Sequence, residues 1–170
     1  PDAHKFIFID PFQDIFNHYD KIPGKDSFVK FDLVENCRNT KAIVNELSTI
    51  IGEEISTMSG LPSGDKIIKN DYTNPINLLL NLKSTIKDLV NNENIPSDNI
   101  LIMLNSSIKN SSISGLHKIG RLELSGLARS SRFKKDHIHF TSINVFKGLE
   151  VDVLFVVDAQ NIKDDKLLYT

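Results

Sequence analysis

Two short runs of this chain are apolar on almost every residue, and they restrict its possible folds more than any other feature. Residues 99–104 (NILIML) contain one polar side chain, and residues 151–157 (VDVLFVV) are interrupted only by Asp152. A strand of this kind is buried on both faces, which is typical of the parallel sheets of α/β proteins. Neither run is long enough to cross a bilayer, so we expect no membrane partner.

Three further segments have the composition of strands: residues 5–10 (KFIFID), 28–33 (FVKFDL) and 137–141 (HIHFT). Residues 66–69 (KIIK) suggest another short strand. Residues 105–114 are rich in Asn and Ser and indicate a surface loop, whereas residues 115–127 are interpreted as a helix.

Two stronger helix signals lie earlier in the chain. Apolar residues at helical spacing follow Thr40, which with Asn39 is a candidate N-cap, and Gly52 is placed to end that helix. Asn74 and Pro75 begin a second helix, whose apolar residues fall on one face. The alternation of strands and helices predicts a parallel sheet covered by helices.

The length and composition of the chain are those of one globular domain. The chain has 170 residues, 40% of them hydrophobic and 25% charged, which excludes disordered and fibrous classes. The net charge of −2 excludes a bulk basic field, so any contact with nucleic acid must be local. Cys37 is the only cysteine, which excludes an intrachain disulfide and favours a reducing, cytoplasmic setting. The first residues lack the layout of a signal peptide, and both ends look cut, so we expect a piece of a longer protein.

Ligands of open α/β sheets bind beyond the carboxyl ends of the strands, and three polar clusters are predicted there. Gln13 follows the first strand, where its amide can orient a water molecule, touch a phosphate or simply face solvent in a turn. Arg38 precedes the first helix, although the helix dipole prefers anions there. It is therefore either an anion binder or one partner of a surface salt bridge, which usually contributes less than about 1 kcal/mol.

The third cluster is the corner before the last strand, which contains Lys147, Gly148 and Glu150. Gly148 allows the backbone to approach a ligand closely, Lys147 can bind a phosphate, and Glu150 can accept hydrogen bonds from sugar hydroxyls. The alternative is a tight turn with a solvated ion pair. The five histidines of the chain have no metal-like spacing, so no metal site is predicted.

Taken in order, these segments resemble the motifs of superfamily 1 helicases of the UvrD/Rep group. The sequence FIFIDPFQDIF resembles the third motif, LVENCRNTKAIV the fourth, FTSINVFKGLEVDVLFVV the fifth, and KLLYT the opening of the sixth, cut before its arginine. The resemblance extends from residue 5 to residue 170, and Lys-Gly-Leu-Glu is its most specific part. It implies an α/β fold of the three-layer, RecA-like (P-loop NTPase-type) class, with a mostly parallel sheet flanked by helices.

The resemblance assigns residues 1–20 to the end of a first RecA-like domain or its connecting strand and linker, and residues 21–170 to a second, C-terminal one. It implies a motor domain of an ATP-dependent DNA helicase, which couples ATP hydrolysis to single-strand translocation and duplex unwinding. The sequence has no Gly-x-x-x-x-Gly-Lys-Ser/Thr phosphate loop and no acidic Mg²⁺ motif. The isolated chain is therefore expected to be inactive and to hold neither ATP nor Mg²⁺ tightly, whereas the intact parent would use both.

The resemblance also implies roles for single residues. Gln13 would sense the γ-phosphate and the attacking water, and Arg38 would act as an arginine finger from the second domain. Gly148 and Glu150 would lie at ATP, with Glu150 at the nucleotide sugar. The DNA-binding positions would be Phe16, Ser142, Asn144 and Lys147.

The chain departs from the family pattern at several positions. Cys37 stands where the family usually has tyrosine, Ser142 replaces threonine, and Asn144 replaces histidine. The sequence NHYD after Phe16 replaces a Gly-aromatic-Arg run, so the arginine of the third motif is missing. The implied partners are single-stranded or partly duplex DNA and the N-terminal RecA-like domain of the same polypeptide. The alternative is a non-motor nucleotide- or partner-binding α/β module that keeps the helicase fold.

Overall fold

A computed structural model of the chain describes residue 7 and residues 19–31, 35–128, 132–146 and 149–162. The described residues divide into two compact units, one up to Lys69 and one from Asn70 onward. The strand predicted at residues 5–10 lies outside the described residues except for Ile7.

The first unit contains a parallel strand–helix–strand arrangement. Strand β1 (Glu35–Asn36) pairs in parallel with strand β2 (Ser56–Thr57), and helix α1 (Lys41–Ile51) lies between them in the chain. The Thr40 side chain caps α1 by accepting a hydrogen bond from the backbone of its first turn, and Gly52 ends it in the left-handed region at a φ of 71°. The predicted helix and both of its end signals are confirmed.

Two strands predicted for this unit are not formed in its described part. Residues 28–31 are in no strand, and Val29 and Phe31 are 81% and 85% exposed. Residues 66–69 are in no strand either, and Ile68 is 77% exposed. Apolar composition is not sufficient for a strand, because the backbone also needs a neighbouring chain with which to exchange hydrogen bonds.

The second unit is built on a five-stranded sheet. Its elements are, in chain order, α2 (Pro75–Asn91), β3 (Ile100–Leu104), β4 (Lys118–Ile119), β5 (Leu122–Gly126), β6 (His137–Ser142), α3 (Ile143–Phe146) and β7 (Val153–Val157). The spatial order of the strands is β4-β5-β6-β3-β7. Strands β5, β6, β3 and β7 are parallel, and β4 runs antiparallel to β5. The chain is thus α/β, with a mixed but mostly parallel sheet flanked by helices, as the sequence predicts.

Helix α2 begins where the sequence predicts. The Asn74 side chain accepts a hydrogen bond from the Asn77 N–H at 3.0 Å, and Pro75 occupies the first turn, where no backbone donor is needed. Leu82 and Ile86, four residues apart on the helix, are 5% and 0% exposed. They share one apolar core with the side chains of β3 that point to the same side of the sheet.

Strand β3 lies between two parallel neighbours, β6 and β7, and all five of its residues are buried. Ile100, Ile102 and Leu104 belong to the core that α2 covers. Leu101 and Met103 point to the opposite face by the alternation of a strand, and they are also buried. The prediction of a strand buried on both faces is confirmed for β3.

Strand β7 was predicted to be buried in the same way, and for one of its faces this is wrong. Val153, Phe155 and Val157 pack with the α2 core, but Leu154 and Val156 on the other face are 38% and 40% exposed. Strand β7 is the last strand of the sheet in the described residues. A continuous apolar run does not distinguish a central strand from an edge strand, because its composition does not depend on the number of neighbours.

The helix predicted at residues 115–127 is also wrong. This segment contains the hairpin of β4 and β5, whose turn includes Gly120 at a φ of 63°. Leu122 and Leu124 pack against the core with the two-residue spacing of a strand. The segment contains three glycines, which weaken a helix, and the left-handed backbone at Gly120 would end one.

The substitution Ile86→Ala tests the buried face of α2. It removes a fully buried side chain and leaves a cavity against β3, so we expect the free energy of unfolding to fall by about 2–5 kcal/mol. Leu80→Ala on the same helix is the matched control, because Leu80 is 61% exposed and its loss should cost less than about 0.5 kcal/mol. Urea unfolding followed by circular dichroism measures both. Equal losses in the two variants would contradict this assignment of the buried face.

Candidate functional site

The carboxyl ends of three strands of the second unit are aligned in one row. Parallel pairing sets Leu104 of β3 beside Ser142 of β6 and beside Val157 of β7. The residues that follow these strand ends therefore lie along a single edge of the sheet: Asn105, Ile143 and Asp158. Open α/β sheets bind their ligands at this edge.

The corner between β6 and α3 carries two of the predicted DNA-binding residues. Ser142 is the last residue of β6 and is half-buried, while Asn144 is exposed on the four-residue helix α3. Ile143 between them is 4% exposed and anchors the corner in the interior. The structure thus brings Ser142 and Asn144 together at the carboxyl edge of the sheet.

Glu150 follows this corner and is exposed just before β7. Upstream of it, the Leu149 N–H donates to the carbonyl oxygen of Phe146 at 2.8 Å. The other predicted residues of the third and fifth motifs lie outside the described residues, and their roles stay predictions. They are Gln13, Phe16, Lys147 and Gly148.

Arg38 belongs to the first unit and lies in the turn between β1 and α1. The side-chain oxygen of Asn36 accepts hydrogen bonds from the N–H groups of Arg38 and Asn39, each at 3.1 Å, and these bonds shape the turn. The Arg38 side chain is exposed. Its position fits both interpretations that the sequence leaves open, an anion binder and a salt-bridge partner.

The N-terminus of α1 already uses most of its free donors. The N–H groups of Lys41 and Ala42 donate to the carbonyl oxygens of Pro62 and Ser63 at 3.0 and 2.9 Å. The next N–H of the helix donates to the N-cap hydroxyl. A helix has only four free N–H groups at its start, so an anion at this turn would be bound mainly by side chains such as that of Arg38.

A hydrogen-bond network around one buried carboxylate lies at the end of β7, where sequence reasoning did not single out a residue. Asp158 is 7% exposed, and its carboxylate accepts from the Ser112 N–H at 2.9 Å, the Ser112 hydroxyl at 2.5 Å and the Tyr72 hydroxyl at 2.6 Å. The Gln160 side chain donates to the Tyr72 hydroxyl at 2.8 Å. The network joins three segments of the second unit: the residues before α2, the connection after β3 and the residues after β7.

Hydrogen bonds decide the charge state of Asp158. Burial raises its pKa, but the bonds from the Ser112 side chain, Tyr72 and the Ser112 backbone together hold the pKa below its ordinary value. The group is therefore a carboxylate at neutral pH. Its backbone lies in the left-handed region at a φ of 60°, which is uncommon for residues other than glycine.

The same region fixes the connection after β3. Asn105 donates from its side chain to the carbonyl oxygen of Asn161 at 2.9 Å, and Ser112 is bound to Asp158. Residues 105–114 form the predicted loop, with one 3-10 turn at Ile108–Asn110, but Ser111 and Ile113 are buried, so the loop does not lie wholly on the surface. Both of its ends are tied to the segment after β7. A sequence signal for this site existed, because Asp158 directly follows a predicted strand, as the other candidate residues do.

An open cleft of about 300 Å³ lies at the start of α2. It is lined by Asp71, Tyr72, Thr73, Asn77, Leu80 and Asn81. None of the residues predicted to bind ATP or DNA is among these. The cleft shares only Tyr72 with the Asp158 network, and none of its lining residues belongs to the corner between β6 and α3.

Two kinds of feature are missing from the part of the chain that the structure describes. No group of three or more His, Cys, Asp or Glu side chains is placed to hold a metal ion. No described helix combines the length and the apolar character needed to cross a membrane.

The substitution Asp158→Asn tests the charged network. It removes the charge that strengthens three hydrogen bonds, so we expect a loss of about 1–3 kcal/mol in the free energy of unfolding at neutral pH. Because folding lowers the pKa of Asp158, its stabilisation is complete above the unfolded pKa and is lost as the pH falls through the folded pKa. The variant should therefore lose less stability on acidification than the wild type does. Glu93→Gln, which alters an exposed carboxylate, is the control, and identical acid profiles for all three proteins would refute the assignment.

The substitution Gly64→Ala tests the support of the Arg38 turn. Gly64 has a φ of 69°, and a Cβ there would overlap the Thr40 side chain that caps α1. We expect thermal unfolding to show a loss of about 1–3 kcal/mol from this overlap, in addition to the backbone strain. Gly60→Ala is a matched control, since Gly60 has a φ of 93° but no atom within 4 Å of the added Cβ. If both variants lose the same stability, the overlap with Thr40 has no effect.

Comparison with known proteins identified no relative of this chain. No protein-family model, no curated protein and no solved structure matches the chain. Each unit therefore has its own candidate region, defined by its own residues. In the second unit these are the corner between β6 and α3 and the network around Asp158, and in the first unit it is the turn at Arg38.

Proposed function

We propose that this chain is the second, C-terminal motor domain of an ATP-dependent DNA helicase. The observation that carries the proposal is the position of the β6–α3 corner. Ser142 and Asn144 leave the middle strand of a mostly parallel sheet at its carboxyl edge, where α/β proteins bind nucleotides and other ligands. In the sequence this corner leads directly into Lys-Gly-Leu-Glu, the most specific of the helicase-like motifs.

Arg38 has the central chemical role in the proposed reaction. Phosphoryl transfer spreads negative charge over the phosphate oxygens, and a planar guanidinium stabilises that charge through paired hydrogen bonds. The exposure of Arg38 supports this role, because an arginine finger must extend from its own domain towards ATP bound mainly by another. In the same proposal Gln13 orients the attacking water, and Gly148 and Glu150 lie against the nucleotide.

Single-stranded or partly duplex DNA is the second proposed ligand. Its contacts would be Phe16, Ser142, Asn144 and Lys147. Hydroxyl, amide and ammonium groups bind phosphate and sugar oxygens without reading the bases, which suits a motor that moves along any sequence. The net charge of −2 supports weak, salt-sensitive binding by this chain alone.

The proposal assigns the phosphate loop and the Mg²⁺ ion of the reaction to another part of the parent protein. This sequence has no phosphate loop, and its described residues offer no cluster of metal ligands. An N-terminal RecA-like domain of the same polypeptide would supply both, so the chain alone is proposed to be inactive. The single cysteine supports a cytoplasmic location for the parent.

The substitution Arg38→Ala in the full-length parent tests the proposal. Because the finger would reach the γ-phosphate only as the two motor domains close, its loss should lower the DNA-stimulated kcat by about 10³–10⁵. The affinity for a non-hydrolysable ATP analogue should change by less than about tenfold. Arg38→Lys should rescue little, because a point ammonium cannot reproduce the planar fork. Steady-state ATPase assays and binding titrations measure these effects.

Arg121→Ala is the matched control, because it removes an exposed arginine from the β4–β5 hairpin and should leave turnover unchanged. If Arg38→Ala keeps near-normal turnover, Arg38 is a salt-bridge partner and the helicase proposal loses its main catalytic residue. The alternative, a non-motor nucleotide- or partner-binding module, would then be favoured. Ser142 and Asn144, which stand where the family has threonine and histidine, can still form hydrogen bonds and are compatible with either function.

A further inference from the structure

His139 is a fully buried histidine on the face of the sheet opposite α2. The preceding residue, Ile138, lies in the core beneath α2, so the alternation of β6 points His139 to the other side. His139 is 1% exposed. Its register neighbours are Leu101 of β3 and Ser125 of β5, neither of which carries a charge.

The connection between β5 and β6 covers this histidine with residues 132–136, here called the covering segment. The Lys134 N–H donates a hydrogen bond to Nε2 of His139 at 3.0 Å. The Phe133 ring packs edge-on against the imidazole, with ring centroids 5.1 Å apart and planes at 76°. Since Nε2 accepts, the ring must be neutral with its proton on Nδ1, and within the described residues Nδ1 has no hydrogen-bond partner.

The covering segment lies between two fixed points. At its N-terminal side, the Leu127 N–H donates to the Phe140 carbonyl oxygen at 2.8 Å, and the Thr141 hydroxyl donates to the Leu127 carbonyl oxygen at 3.0 Å. At its C-terminal side, the segment leads into β6, whose first residue, His137, pairs with Glu123 of β5. The segment can therefore leave the sheet locally, while β5 and β6 stay paired.

Protonation of His139 would break the hydrogen bond between its ring and the covering segment. Nε2 would become a donor and would face the Lys134 N–H, another donor, and the described residues offer Nδ1–H no acceptor that would stabilise the cation. Burial lowers the pKa of His139, positive charge on His137 lowers it further, Asp98 raises it, and Lys134 lowers it. The His137 ring is 6.1 Å away, and its Nδ1 is bound to the Ser125 hydroxyl at 2.7 Å.

We propose that His139 is an acid-sensitive latch, which holds the covering segment on the sheet while its ring is neutral and releases it when the ring takes up a proton. The proposal rests on the Lys134–His139 hydrogen bond, the burial of the ring and the two anchors of the segment. It does not depend on the proposed helicase function. While the covering segment lies on the sheet, it favours the neutral form of the ring. The attachment of the segment is therefore weakened as the pH falls.

Amide hydrogen exchange of this chain, followed by NMR over a range of acidic pH values, tests the latch. As the pH is lowered, we expect the protection factor of the Lys134 amide to fall about tenfold per pH unit, in the range where release of the segment is coupled to the binding of one proton. The Leu127 amide, bound to β6, should keep its protection and serves as the internal control. Constant protection of Lys134 throughout, or a parallel loss at Leu127, would overturn the proposal.

Two variants identify the group that titrates. His139→Gln places a side-chain oxygen near the position of Nε2, where it can accept from the Lys134 N–H, but it does not titrate, so the fall in protection should disappear. His137→Gln is the matched control, because it removes a neighbouring positive charge and should keep the transition while moving it to higher pH. A transition that persists in His139→Gln, or vanishes in His137→Gln, would show that His139 is not the latch.

Phe133→Trp gives an independent reading, since the chain contains no other tryptophan. Its emission maximum should shift to the red through the same pH range in which the Lys134 amide loses protection, while far-ultraviolet circular dichroism stays constant. A red shift accompanied by loss of secondary structure would mean global unfolding and would refute a local latch.

Discussion

The parallel pairing of β3 on both sides is the constraint on which the second unit depends. All five residues of β3 are buried, so its N–H and C=O groups have no access to water and must find partners in β6 and β7. Its side chains must also be covered on both faces, and Leu82 and Ile86 of α2 supply one of those covers. The positions of β6, β7 and α2 around β3 meet these two requirements, hydrogen bonds for its backbone and cover for its side chains.

The same pairing creates the edge of the sheet that carries the candidate site of the second unit. Because the strands are parallel and in register at Leu104, Ser142 and Val157, the segments that leave them are neighbours although they are far apart in the chain. The Asp158 network then fixes two of these segments to each other and to the residues before α2. A charged carboxylate is stable there because three hydrogen bonds compensate for its loss of water. The edge is thus cross-linked by hydrogen bonds on the β7 side, next to the corner that carries Ser142 and Asn144.

On the face of the sheet opposite α2, a buried polar group is stabilised in its neutral form. On β6, His139 obtains its hydrogen bond from a backbone N–H of the connection, and the bond exists only for a neutral ring. Asp158 is stabilised in its charged form and His139 in its neutral form, so acidification acts against both. The two groups differ in what they hold: Asp158 joins three segments, whereas His139 holds a single connection whose ends are anchored independently.

Local signals in the sequence determined α1, α2 and the buried strand β3. A helix is specified by its caps and its apolar spacing, so Thr40, Gly52 and Asn74 were sufficient to place both ends of α1 and the start of α2. Whether β7 is central, whether residues 115–127 pair as a hairpin, and which groups Asp158 and His139 meet were decided only by the tertiary structure. Each depends on which distant segment comes to lie alongside, as Tyr72 does at Asp158, 86 residues away in the chain. Pairing of this kind is a property of the whole sheet, and no window of the sequence contains it.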